Sequence, residues 1–172
     1  MNNVEDDLLV DDETGVYALE SFRQHPYKTD IFLKVVRSMK FFPELKNQKI
    51  YLGISGWVKK NEKNIASADF ENNILMFNVN REISYVTVFH ELMHFVQYQS
   101  NLPRTEEYCS IYAMARMPPH LVDQDIIPYI GKGHKSYNAD LCRESVNYRE
   151  NGHRKYIQYL KNRLMIENRK RI

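Results

Sequence analysis

One continuous stretch, "VFHELMHFVQYQSNLPRTEEYCSIYA" from Val88 to Ala113, restricts the possible folds more than any other part of the chain. No glycine or proline interrupts the run "EISYVTVFHELMHFVQYQ", and Val86, Phe89, Met93 and Val96 recur at helical spacing, marking a buried side expected to be distinct from the side of His90 and His94. Asn101 to Pro103 must then reverse the chain almost at once. Thr105 precedes two glutamates, which is the pattern of an N-cap followed by first-turn acids, and Pro118 and Pro119 end whatever helix starts there. Two helices joined by a tight turn are predicted, so whatever the first carries is faced by the start of the second.

The first carries His90 and His94, four residues apart and therefore one turn apart on one face, where both imidazoles can reach a single ion. Zinc takes neutral imidazole nitrogens at about 2.0–2.1 Å in a tetrahedron, and a catalytic site keeps one position for water, so a third protein ligand is required. Glu91 cannot easily point with both histidines. It can reach a water on the open side of the ion and act as its general base, which is the physical content of an H-E-x-x-H pattern. The third ligand has to come from the next helix at close approach, which calls for small residues at the contact. From Glu106 the positions three, four and seven further on are Cys109, Ser110 and Ala113; from Glu107 they are Ser110, Ile111 and Met114. Small size favours Glu106, with Glu107 the alternative, and the unused acid serves the helix dipole. A third histidine of the extended metzincin kind is excluded, because Ser100 stands at its position. The plain alternative is a pair of ordinary histidines with no metal.

"HELMH" together with "EEYCSIYA" resembles the gluzincin zinc metallopeptidases, of which the compact archaeal minigluzincins are nearest in scale. The stretch "ADFENNILMFNVNREISYVTVFHELMH", with the later "MPPHLV", is also similar to the repressor-cleaving peptidases of the ImmA/IrrE type. The resemblance covers about residues 68 to 122 and leaves the flanks unmatched. It implies a zincin-like fold, zinc held by His90, His94 and a downstream glutamate, and hydrolysis of peptide or protein substrates. It also implies a substrate strand added antiparallel at a sheet edge, expected to be "ILMFNV". The segment between His94 and Glu106 is much shorter than in most gluzincins.

The remainder reads as one α+β domain over residues 1–172: a core helix, a small antiparallel or mixed sheet, the histidine helix, the glutamate helix and a long C-terminal helix. The 43% hydrophobic and 27% charged residues are those of a folded globular chain. From Thr29 onward Ile31, Phe32, Val35, Val36 and Met39 make a helical stripe between Pro26 and Pro43, within a longer run of helical character that begins at Tyr17. "KIYLGIS", "IASADFE" and "NILMFNV" read as strands, with a hairpin between Phe70 and Ile74, and Asn80 or Ser84 caps the histidine helix, Asn80 being the earlier choice. After an irregular stretch through Asp140, helix continues to the end with a break at Gly152. Cys109 and Cys142 read as free packed thiols.

Charge is distributed unevenly. Residues 1–13 are acidic and read as a flexible segment, whereas residues 153–172 carry seven Lys and Arg against Glu167 alone. Either end is a candidate autoinhibitory cover for the site. The basic end is a candidate for nucleic acid or an acidic partner, although a solvated helix face is the favoured reading. A zincin-scaffold binding protein of that kind, with little or no peptidase activity, is the rival to the enzyme. No segment has the length and hydropathy of a membrane span or a secretory signal, so a cytoplasmic location is the default expectation. His120, Tyr129, His134 and Tyr137 qualify by type as oxyanion donors. Gln97 is placed either to steady a ligand or simply to pack, Tyr98 shares that ambiguity, and Trp57 reads as cleft wall or core anchor.

Overall fold

The computed structural model describes residues 9–55, 65–124, 126–127, 130–132 and 135–170. The chain divides into two compact units, Met1–Ile83 and Ser84–Ile172. It is an α+β protein with a mixed sheet.

In the first unit, α1 (Lys28–Met39) follows Pro26 and buries Ile31, Phe32, Val35 and Met39, with Val36 half-buried at the margin of the stripe. The strands are β1 (Val10–Asp11), β2 (Val16–Ala18), β3 (Ile50–Ile54), β4 (Ala66–Asp69) and β5 (Ile74–Phe77). They form one sheet in the order β1-β2-β3-β5-β4, in which β2, β3 and β5 run parallel and the outer pairs are antiparallel. Parallel neighbours need a crossover, and α1 supplies it between β2 and β3. Val16, Ile50, Leu52, Leu75 and Phe77 are fully buried beside Phe22, Ile31 and Val35. Gly15 sits at φ 75 in the turn into β2, where a Cβ would collide with the Gln48 carbonyl, so only glycine lets the two backbones meet there.

Two expectations are corrected. The helical reading does not extend back to Tyr17: residues Val16–Ala18 form β2, whose alternation of buried Val16 and Ala18 about half-buried Tyr17 is too short to announce itself and whose pairing with β3 is long-range. The sheet is mixed, one of the two forms expected, and the β4-β5 hairpin expected at Phe70 to Ile74 is present, turning through Asn73 at φ 55. The strand expected to receive a substrate, β5, has β3 on one side and β4 on the other and so offers no free edge; β4 is the outer strand. Of the acidic start, Val10–Asp11 pairs with β2, and residues 1–8 lie outside the described residues, as does Trp57.

The second unit comprises α2 (Tyr85–Gln99), α3 (Glu106–Arg116), a short hairpin of β6 (Ile126–Ile127) with β7 (Gly131–Lys132), α4 (Lys135–Glu150) and α5 (Tyr156–Arg169). Helix α3 packs against both α2 and α4, and α4 against α5. Helix α4 begins inside the stretch read as irregular, and Gly152 at φ 94 marks the break before α5. The Arg143 guanidinium donates to the Ala115 and Met117 carbonyls at 3.2 and 2.6 Å, satisfying the end of α3. Arg149 lies over the rings of Tyr108, Tyr112 and Tyr156 and donates to the Tyr112 hydroxyl at 2.9 Å, joining α3, α4 and α5 at one cation. Cys109 and Cys142 are buried free thiols. Among the described residues no helix is long and apolar enough to cross a membrane.

Candidate metal centre

Helix α2 starts where two acceptors meet its free N–H groups. The Ser84 hydroxyl accepts from Thr87 N at 3.1 Å, and the Asp123 carboxylate accepts from Tyr85 N at 2.8 Å and Val86 N at 3.3 Å. Ser84 is thus the cap and Asn80 is not; the Asn80 N–H is taken up by the Asn78 side chain. The helix does not have a buried side and a separate histidine side as expected. Val86, Phe89, Met93 and Val96 are buried, but so are His90, Glu91 and Gln97, so α2 is enclosed nearly all round.

The two imidazoles meet edge to face with centroids 4.7 Å apart and Nε2 atoms 3.1 Å apart. Helix α2 ends at Ser100, Asn101 turns the chain at φ 53, and the Thr105 hydroxyl caps α3 by accepting from Tyr108 N at 3.2 Å. Glu106, the first residue of α3, is thereby delivered to the histidines: its Oε2 lies 3.0 Å from His90 Nε2 and 3.5 Å from His94 Nε2. The small residues after it make the close approach. The Cys109 thiol donates to the His90 carbonyl at 3.0 Å, and the Ser110 hydroxyl lies 3.1 Å from His90 Nδ1.

Three donor atoms therefore stand in a triangle with edges of 3.0, 3.1 and 3.5 Å. Bonds of about 2.0–2.1 Å at tetrahedral angles place ligand atoms about 3.3–3.4 Å apart, so the triangle has the size of one face of a zinc tetrahedron. A second donor set shares the histidines, since a ligand atom from each of His90, His94 and Cys109 lies within 4.8 Å of the others. With Cys109 the group able to hold a metal ion is largely buried, whereas the Glu106 side chain is 46% exposed. The Cys109 thiol donates to a backbone carbonyl, and burial pushes its pKa far above the usual thiol range.

The charge states suit ligation. Burial, reinforced by the proximity of His90, holds His94 below the ordinary imidazole value, favouring the neutral ring. The hydrogen bond with His90, outweighing desolvation, holds Glu106 below the ordinary carboxyl value and keeps it ionised. Glu91 is 8% exposed. Desolvation pushes its pKa up to about 7, with Glu106 adding to the rise and His90 opposing it.

His90, His94, Glu91 and Glu106 are thus assembled in one place. Glu107, the alternative acid, makes neither of these histidine contacts. Gln97, whose role was open, accepts at Oε1 from His94 Nδ1 at 2.9 Å. Tyr98 points outward, 43% exposed, under the Arg104 guanidinium, and His120 is exposed on the turn after α3. Tyr129 and His134 lie outside the described residues, and Tyr137 falls within α4. Two contributors were not foreseen. Ser110 had been weighed for its size and not for its hydroxyl, and Asp123 lies 38 residues from the amide it receives, with no local signal to mark it. No protein-family model, curated protein or solved structure matches this chain.

Proposed function

We propose that this chain is a zinc-dependent peptidase of compact, gluzincin-like type, in which His90, His94 and Glu106 hold the metal and Glu91 is the general base. The observation that carries the reading is the triangle of His90 Nε2, His94 Nε2 and Glu106 Oε2, with edges matching a tetrahedral face and a nitrogen, nitrogen, oxygen donor set suited to zinc. A zinc ion held by these residues would supply Lewis acidity, acidifying a water and polarising a carbonyl oxygen. Glu91 sits beside the first histidine in a dry environment, where a carboxylate is a stronger base than in solvent. It takes the proton from the attacking water and hands it to the departing amine as the C–N bond breaks. Ser110 and Gln97 face the other nitrogens of the two rings and hold them in place.

The test combines metal analysis of purified protein with digestion of an unstructured protein, with and without chelator. The expected result is about one zinc per chain, chelator-sensitive cleavage, and a Glu91→Gln variant that keeps its zinc and loses turnover. Zinc lost together with activity in Glu91→Gln contradicts the division of roles. Metal without turnover in the wild type favours a binding protein on the same scaffold or a latent enzyme covered by one of its ends.

A further inference from the structure

The two rings of the centre differ in what faces their outward nitrogens. His90 Nδ1 meets the Ser110 hydroxyl at 3.1 Å. A hydroxyl either donates or accepts, so it tolerates a proton on either ring nitrogen. His94 Nδ1 meets Gln97, whose carboxamide has no such freedom. Its Nε2 lies 2.7 Å from the Pro103 carbonyl oxygen and 3.2 Å from the Thr105 carbonyl oxygen. Both are acceptors only, so the amide nitrogen must face them and the amide oxygen must face the imidazole. Gln97 is 2% exposed, which leaves little scope for solvent to substitute for these partners.

We infer that Gln97 is a positioning residue that fixes the proton of His94 on Nδ1 and ties that ring to the start of the helix delivering Glu106. The amide oxygen accepts and cannot donate, so the 2.9 Å contact requires a hydrogen on Nδ1. A neutral imidazole has one N–H, and the Nε2 lone pair is left pointing into the triangle. The other end of the same side chain holds two carbonyls of the turn before α3, those of Pro103 and of Thr105, the cap of α3 and the residue before Glu106. A single amide thus serves two vertices of the triangle, one through its tautomer and one through the backbone that presents it. Outer partners of metal-binding histidines are commonly worth 10- to 100-fold in affinity.

This inference rests on the metal reading above, but its primary test needs neither metal nor substrate. Long-range proton–nitrogen correlation spectra of the histidine rings, recorded on the full chain after chelation, report which nitrogen carries the proton. His94 is expected as the Nδ1–H tautomer in the wild type. Gln97→Met, of similar volume, is expected to lose the single tautomer and to bind zinc about 10- to 100-fold more weakly in competition with a chromophoric chelator. Gln97→Glu keeps an acceptor at His94 but sets a carboxylate against two carbonyls; it is expected to keep the Nδ1–H signature and to melt at lower temperature. An Nε2–H tautomer in the wild type overturns the inference. So does a Gln97→Met protein with unchanged tautomer and unchanged zinc affinity, which is what a merely packed glutamine predicts. If Gln97→Met does not fold, the wild-type and Gln97→Glu spectra decide. A wild type with His94 as Nδ1–H that cleaves no peptide leaves this inference standing and counts against the peptidase reading.

Discussion

At the scale of single residues the centre carries a cost that can be measured. Glu91 has a folded pKa of about 7 against an ordinary 4.5. Between those values the folded chain keeps a proton that the unfolded chain has released, so native stability falls as pH rises through the window and the full cost is present above it. In chelator-treated protein, Glu91→Gln should therefore be more stable than wild type at pH 8, by on the order of 3 kcal/mol, with the difference shrinking toward pH 4.5. Denaturant titrations at several pH values check this, and equal stabilities at pH 8 would count against a desolvated carboxylate at position 91. The adjacent acids give a second comparison. Glu106→Gln should weaken zinc binding beyond the roughly 100-fold that an outer partner is worth, while Glu107→Gln should leave it near wild type, as read in a chelator competition. Comparable losses in both would mean that the carboxylates share the role.

At the scale of elements, α2 is placed by its two ends. The Ser84 hydroxyl and the Asp123 carboxylate take up its first free N–H groups, and the Asn101 turn returns the chain to α3. Capping side chains are worth about 1 kcal/mol each, so Ser84→Ala and Asp123→Ala should each lower unfolding stability by roughly that amount. Asp123→Asn, which keeps an acceptor without the charge, should recover only part of that loss; full recovery would show that the charge contributes nothing. The two residues also show what the sequence could reveal. Thr105 stands before two acids, so the start of α3 was legible, as was the approach of Glu106 to the histidines from the small residues behind it, whereas the start of α2 was left open between Asn80 and Ser84. The acceptance of Tyr85 N by Asp123 depends on a fold-back across 38 residues and left no local pattern. Strand β2 was hidden for the same reason: Val16 and Ala18 acquire their meaning only by pairing with β3. The expected exposed edge at β5 failed because a strand's neighbours in the sheet are not written in its own alternation. The amide orientation of Gln97 was likewise out of reach, since it depends on the carbonyls of a turn whose path had first to be known.

At the scale of the whole molecule, every donor proposed for the metal falls within the Ser84–Ile172 unit, between residues 90 and 106. The centre is therefore a local product of two helices and the turn between them. Whether its three donor atoms hold an ion is read most directly by an anomalous difference map collected across the zinc edge, from crystals of the full chain grown with zinc. The predicted result is a single strong peak bonded to His90 Nε2, His94 Nε2 and a Glu106 carboxylate oxygen, with one position open toward Glu91. No peak at the triangle, or a peak bonded to the Cys109 sulfur with Glu106 turned away, would contradict it.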